Sequence, residues 1–290
     1  MNKVVWIGLW CCGIVYLCWL AYVRLKRKKY TRFGSGEMFD SMAHYYDGMN
    51  RVISLGLDMS WRQYAVRHLV HLPLHSRVLD VAVGTGDLSL CLLRQRPDYQ
   101  VVGIDPSVEM LQRAKRKLSG CSSSAVVLEK GEAEQLPFAD GSFDAVMVAF
   151  GVRNFRDRKQ GILEMARVLR NDDNLGGCPG KLLIMELTTR TNNDESYHSG
   201  RRAVLHRIAQ LFIRYVVPCL GLWLTGSRYE YHYLQQSMQS FPDATTFQQF
   251  LQTECGLSMV AYERCLWGLG PDIYVLTKKS HHQQLQLGNA

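Results

Sequence analysis

Residues 77–88 read RVLDVAVGTGDL: an apolar stretch of strand-forming residues runs straight into a bend with two glycines and then into the start of a helix. Gly84 and Gly86 lack Cβ atoms, so the backbone there can turn tightly and approach a ligand closely. Alone, such a bend fits a dinucleotide fold or a plain tight turn. The spacing to the next two strand candidates narrows the choice. The first of them ends in GIDP, placing Asp105 about 20 residues beyond the glycines, where a carboxylate can accept both hydroxyls of a ribose. The second leads to residues 131–138, GEAEQLPF, with Glu132 and Ala133 at a strand end. Ligands of open parallel sheets lie outside the carboxyl ends of the strands. Glu132 is therefore expected to accept from an adenine amine, and Ala133 to supply a backbone donor.

Short apolar runs alternate with helical stretches through the rest of the chain, the signature of βα units and a parallel sheet. Strands are expected at 77–83, 100–105, 125–129, 144–150 and 181–187, with 259–265 and 273–277 closing the sheet. Helices are expected at 109–118 and 158–169, and across 38–72, where apolar residues recur at three- and four-residue steps up to Pro73. Residues 171–180 read as a polar, Gly-rich surface loop. Residues 201–224 are strongly apolar but broken by Arg207, Arg214 and Pro218, and read as a kinked helix able to cover a greasy substrate.

Residues 4–23 carry no charge, enough at ~1.5 Å per residue to cross a ~30 Å hydrocarbon core. Trp6 and Trp10 lie near one end, Trp19 and Tyr22 near the other. The run is longer than a signal-peptide core and lacks a small-residue cleavage site, so a retained single-pass anchor is expected. Arg24, Lys26, Arg27, Lys28, Lys29 and Arg32 come directly after it and supply six of the eight net positive charges. A nucleic-acid footprint would spread its charge over the folded domain, so that partner is excluded and an anionic membrane surface favoured. The nine cysteines show neither disulfide pairing nor metal-ligand spacing, and no metal is expected. The organisation is thus an anchor at 4–23, a basic linker at 24–36 with a flexible joint at Gly34–Gly36, a catalytic domain at 37–280 and a disordered tail at 281–290.

The glycines are arranged as A-V-G-T-G and not G-x-G-x-x-G. An acidic Asp87 beside the bend would repel a diphosphate but tolerate a sulfonium ligand carrying an amino group. The pattern resembles the class I S-adenosylmethionine methyltransferases, which implies an α/β, Rossmann-like, seven-stranded, mostly parallel sheet with N-terminal helices and a helical insertion after the fifth strand. More specific are VAFGVRNFRD at 148–157, EMARVL at 164–169, KLLIMELT at 181–188, YHYLQQSMQSFP at 231–242 and YDGMN at 46–50. Together, from about residue 39 to 264, they resemble the ubiquinone/menaquinone C-methyltransferase family.

The resemblance implies S-adenosyl-L-methionine as cofactor and a lipid-soluble polyprenylated quinol precursor, methylated on ring carbon, as acceptor. By motif position Gly84, Thr85, Gly86, Asp105, Glu132, Ala133 and Ala149 would form the cofactor site. Arg153 and Asn154 would face the acceptor, and Tyr46, Asp47 and Asn50 would come from the helices covering the pocket. Carbon methylation needs an electron-rich ring, best provided by ionising the neighbouring phenol, whose free pKa is near ~10. Arg153 would stabilise that anion, and Asp47 or His44 would take its proton. The sequence departs from the family at Val83, at Asp58–Met59 where a His-Arg pair is common, and at LGPDIYVL near the end, where Tyr274 would replace a histidine or the ring would differ. A methyltransferase for another membrane lipid (a tocopherol-type phenol or a sterol) and a non-catalytic scaffold are the alternative readings. A quinone-biosynthesis complex or a homodimer are further expected partners. Ubiquinone chemistry would place the protein at the mitochondrial inner membrane, and menaquinone chemistry in a plastid or bacterial membrane.

Overall fold

The computed structural model describes residues 34–121, 125–171, 179–188, 229–265 and 270–279. The expected anchor at 4–23, the basic cluster, the apolar stretch 201–224, most of the 171–180 loop and the tail lie outside the described residues. Among the described residues no helix is long and apolar enough to cross a membrane.

Two helices come first, α1 (Gly36–Ile53) and α2 (Asp58–Val66). The alternating part then runs β1 (Arg77–Val81), α3 (Asp87–Gln95), β2 (Gln100–Asp105), α4 (Val108–Leu118), β3 (Val126–Lys130), β4 (Ala145–Ala149), a 3-10 turn (Val152–Asn154), α5 (Arg158–Val168) and β5 (Lys181–Glu186). It finishes with α6 (Tyr229–Ser240), α7 (Ala244–Thr253), β6 (Leu257–Arg264) and β7 (Asp272–Lys278). All seven expected strands are present, their ends displaced by a few residues.

The strand order is β3-β2-β1-β4-β5-β7-β6, with β7 antiparallel to both neighbours and the others parallel. Central strands must be apolar on both faces because helices cover both, and β4 and β5 read AVMVA and KLLIME accordingly. The edge strand β3 is largely exposed and carries Glu129 and Lys130. One face of the sheet packs Phe143, Ile162, Phe247 and Tyr274; the other packs Leu69, Leu92, Tyr99 and Met147.

Chain direction across the sheet reverses beside β1, which pairs with β2 on one side and β4 on the other. Two βα units leave in opposite directions there and open a crevice at the carboxyl ends. Helices start where side chains satisfy orphan N–H groups: Ser107 accepts from Met110 N, Asp157 from Gln160 N and Asp243 from Thr245 and Thr246 N. Cys91, Cys255 and Cys265 are free and buried, and burial pushes each thiol up to about 11.

Candidate functional site

At the crevice lies a cavity of about 250 Å³, bordered by Gly84, Asp105, Gly131, Glu132, Ala133, Ala149, Asn154 and Tyr46. Gly84 holds φ +55, and a Cβ built on it would meet nothing nearer than the Ala82 carbonyl oxygen at 3.9 Å. Any side chain there would project into the space a ligand needs. Asp105 accepts from Gly84 N at 2.8 Å and Ser107 N at 2.9 Å, which fixes its carboxylate at the cavity rim. Burial raises this carboxyl to about 6, against the pull of those two N–H groups and with Asp40 adding to the rise. A bare backbone bend beside an oriented carboxylate suits a ribose, and the alanine wall with exposed Glu132 suits a base edge.

The remaining expected residues divide. Gly86 does not border the cavity: it is the left-handed start of α3, and a Cβ there would press on Leu118 at 3.0 Å and Ala114 at 3.3 Å. It is a packing glycine between α3 and α4. Thr85 is buried and borders a smaller recess beneath the bend, where its hydroxyl donates to Asp47 at 2.6 Å. Val83 finds room because β2 has Gly103 opposite it, 3.0 Å from the Val83 methyl to where a Cβ would stand. Gly34, Ser35 and Gly36, expected as a joint, form part of the cavity wall, Gly36 seated against the Pro106 carbonyl.

Sequence reasoning passed over Asp80. This acid, buried in β1, borders the smaller recess with Arg62, Gly84 and Ala149 and accepts from Ser89 Oγ at 2.5 Å. Burial raises it to about 7, the Ser89 hydroxyl opposing. An acid inside an otherwise apolar strand was the available signal. Its place beneath the bend suits the ammonium end of an amino-acid ligand. Ala82 and Phe150, both bordering the cavity, hold φ +55 and +58. Non-glycine residues in that region cost roughly 1–3 kcal/mol each and gather where a site over-determines the backbone.

Asp47 is not a free base. Its carboxylate accepts from Thr85 and pairs with Lys117 at 2.7 Å. His44 is exposed and meets Arg113 at 2.5 Å, away from the cavity. Asp47 instead belongs to a strap that fastens α1 over the crevice. Asp40 accepts from Ser107 Oγ at 2.6 Å and Glu109 N at 3.0 Å. Arg51 pairs with Asp58 and, at 2.8 Å, with Asp87, while Lys117 reaches Asp87 at 2.5 Å. Positions 40, 47 and 51 share one helical face. Asp58 also pairs with buried Arg62 at 2.6 Å, so the departure at 58 supports this network. Burial would raise the Asp87 carboxyl, but Lys117 and Arg51 outweigh it and hold it below the usual range.

A third recess, about 50 Å³, adjoins the cavity and is bordered by Met38, Met42, Met49, Asn50, Arg153, Asn154, Tyr233 and Ser237. Here the AFGVRN and YHYLQQSMQSFP stretches meet: Tyr233 donates to Asn154 Oδ1 at 2.9 Å. Tyr46 borders all three spaces, and burial raises its phenol while Arg153 and Arg62 pull it down. Arg153 is no loop residue open to water: its side chain is 8% exposed and its Nη1 pairs with Glu186, which is wholly buried. Tyr274 is enclosed between Phe247 and Tyr262 and takes no part.

The model of the ubiE/COQ5 methyltransferase family matches residues 25–270. Demethylmenaquinone methyltransferase of Deinococcus radiodurans is 37% identical over 217 residues, 74% of this chain and 82% of that protein. The demethylmenaquinone methyltransferase of Bacteroides fragilis is 33% identical over 265 residues, 89% of this chain and 99% of its own. Among solved structures, the [4+2]-cyclase SpnF superposes with a TM-score of 0.56 at 17% identity, covering 84% of this chain and 94% of its own, and speaks for the fold alone. The chain belongs to the ubiE/COQ5 methyltransferase family.

Proposed function

We propose that this protein is an S-adenosylmethionine-dependent C-methyltransferase of quinone biosynthesis whose acceptor is a polyprenylated benzoquinol or naphthoquinol. The observation that carries the reading is Tyr46, which stands between the cavity bordered by Gly84 and Asp105 and a methionine-walled recess. When bound, S-adenosylmethionine supplies a methyl group on a sulfonium, open to in-line displacement. Asp105 would take its ribose hydroxyls, Asp80 would receive its ammonium, and Gly84 would let it lie against bare backbone. The recess is smaller than a quinol ring, and three unbranched methionine side chains give it walls that can yield. Arg153 stabilises the phenolate as it forms, and Asn154 and Tyr46 hold the ring in line, since positioning supplies much of the rate. The uncharged run at 4–23 supports attachment to the membrane that dissolves such an acceptor, the mitochondrial inner membrane for ubiquinone chemistry.

Purified protein given demethylated quinol and methyl-labelled S-adenosylmethionine should place label on ring carbon. Cofactor-bound, folded protein that leaves the ring unlabelled would count decisively against the reading. Quinone profiles of cells lacking the protein separate it from a methyltransferase of another membrane phenol, which would leave them unchanged.

The charges of the site set its pH dependence. Asp105 and Asp80 have folded pKa values near 6 and 7, above the ordinary 3.8. Their contribution to cofactor-free stability is therefore full below 3.8 and lost as pH rises through 6 and 7. Cofactor binding runs the opposite way, because the ribose and ammonium partners need ionised carboxylates. Calorimetric affinity should climb from pH 5.5 to 7.5 and fall roughly tenfold per pH unit per retained proton below that window. A flat profile would remove both acids from the site.

Lys117→Met removes the Lys117 contacts to Asp47, Asp87 and the Thr85 hydroxyl while leaving Asp87 its Arg51 partner. Stopped-flow measurement should show the cofactor leaving about fivefold faster, the effect of roughly 1 kcal/mol in a half-buried ion-pair network. Salt should speed release from the wild type more than from the variant.

A further inference from the structure

Arg153 is held in an unusual way for a residue that must meet an anion. Its Nη1 pairs with Glu186 and its backbone N–H donates to the same carboxylate at 3.2 Å. Glu186 also accepts from Leu187 N at 3.0 Å, so its orientation is set by the end of β5 and not by the ligand. The Arg153 Nε, buried, has no hydrogen-bond partner among the described residues, while the side chain borders the recess beside Tyr46 and Asn154. A donor left over from a pair buried this deeply is costly unless something accepts from it. Asp47 and His44, the other candidates for handling the acceptor's proton, are engaged elsewhere.

We propose that Glu186 is a positioning residue of the methyl transfer: it clamps Arg153 by one nitrogen and by the backbone so that the guanidinium is held at the wall of the recess, ready for the acceptor's phenolic oxygen. This rests on the reading of Arg153 as the group that binds that oxygen. Glu186 touches neither cofactor nor acceptor. Its carboxylate partly offsets the guanidinium charge, so what it contributes is direction, not field. A flexible arginine in the same recess could turn away into the methionine-lined space or toward solvent; a clamped one does not have to be reoriented when the phenolate develops.

Charge and direction predict opposite signs, and a coloured probe reads the sign without turnover. A nitrophenol bearing a short prenyl chain, added to the full chain with S-adenosylhomocysteine, reports its own ionisation by absorbance. Arg153→Met should raise the bound probe's apparent pKa by about one unit, the loss of one hydrogen-bonded charge. Glu186→Gln should raise it too, although a negative group has been removed, and should lower kcat about ten- to a hundredfold with cofactor affinity within twofold of wild type. Glu186→Gln should add nothing in the Arg153→Met background, which also spares the fold an unpaired buried charge. Glu186→Asp, one methylene short but still charged, should fall between wild type and Glu186→Gln. A probe pKa that falls in Glu186→Gln, or an undiminished effect of Glu186→Gln without Arg153, overturns the clamp while leaving Arg153 as the anion-binding group. Should Arg153→Met leave the probe pKa unmoved, the reading of Arg153 fails, and the clamp with it.

Discussion

Asparagine at position 105 should weaken S-adenosylmethionine binding roughly a hundred- to ten-thousand-fold, because each hydrogen bond to a charged group contributes about 1.5–3 kcal/mol and the ribose offers two. The carboxylate is buried and already spends acceptor sites on Gly84 and Ser107 N–H groups, so its remaining lone pairs have one direction left. Asparagine keeps a single acceptor oxygen and turns its amide donors toward one of those N–H groups. The fold should survive. Burial raises Asp105 to about 6, so at neutral pH the wild-type carboxylate opposes folding, and the neutral amide removes that cost. The cofactor-free variant should melt no lower than wild type at pH 7.5 while calorimetry finds little binding. Affinity within threefold of wild type would move the ribose elsewhere.

The fold, and the cavity at the carboxyl ends of its strands, were largely legible in the sequence because they depend on local patterns. A strand, a glycine bend and an acid at the next strand end are separated by fixed chain lengths, and the parallel sheet brings them together whatever the connecting loops do. Gly84, Asp105, Glu132, Ala133 and Ala149 all border the cavity for that reason. Contacts chosen by helix packing leave no such local pattern. Asp47 was a candidate base because the resemblance puts it on a helix covering the pocket; its partner Lys117 lies 70 residues away on α4, and nothing in either segment announces the pairing. Gly86 looked like part of the ligand cradle, whereas its missing side chain serves Leu118 and Ala114. Asp80 and Glu186 were hidden in apolar strands, yet an acid in such a strand is conspicuous once one asks what would compensate its desolvation.

Removing the Arg153 guanidinium should lower kcat by roughly a hundred- to a thousandfold, the range for deleting one preorganised donor to a developing oxyanion. Alanine alone is a poor instrument. It would leave Glu186, fully buried, without its partner, and a broken buried pair typically costs about 3–5 kcal/mol of stability. Low activity could then mean little more than partial unfolding. Replacing both partners, Arg153→Met with Glu186→Gln, removes the charges while preserving volume, and such replacements are often neutral or stabilising. Asn154, Tyr233 and the Asp105 cavity lie on other hydrogen bonds and should stay in place. The paired variant should therefore melt near wild type and bind S-adenosylmethionine within twofold, with the loss confined to methyl transfer. Raising the pH should recover part of its rate, because a larger fraction of acceptor phenol then arrives already ionised and needs less help from the protein. A paired variant that folds and methylates at wild-type speed would show that the anion is met by another group, with Tyr46 the next residue to test. A scaffold would go further still: its role in cells would be unchanged by the substitution, whereas an enzyme's quinone product would disappear.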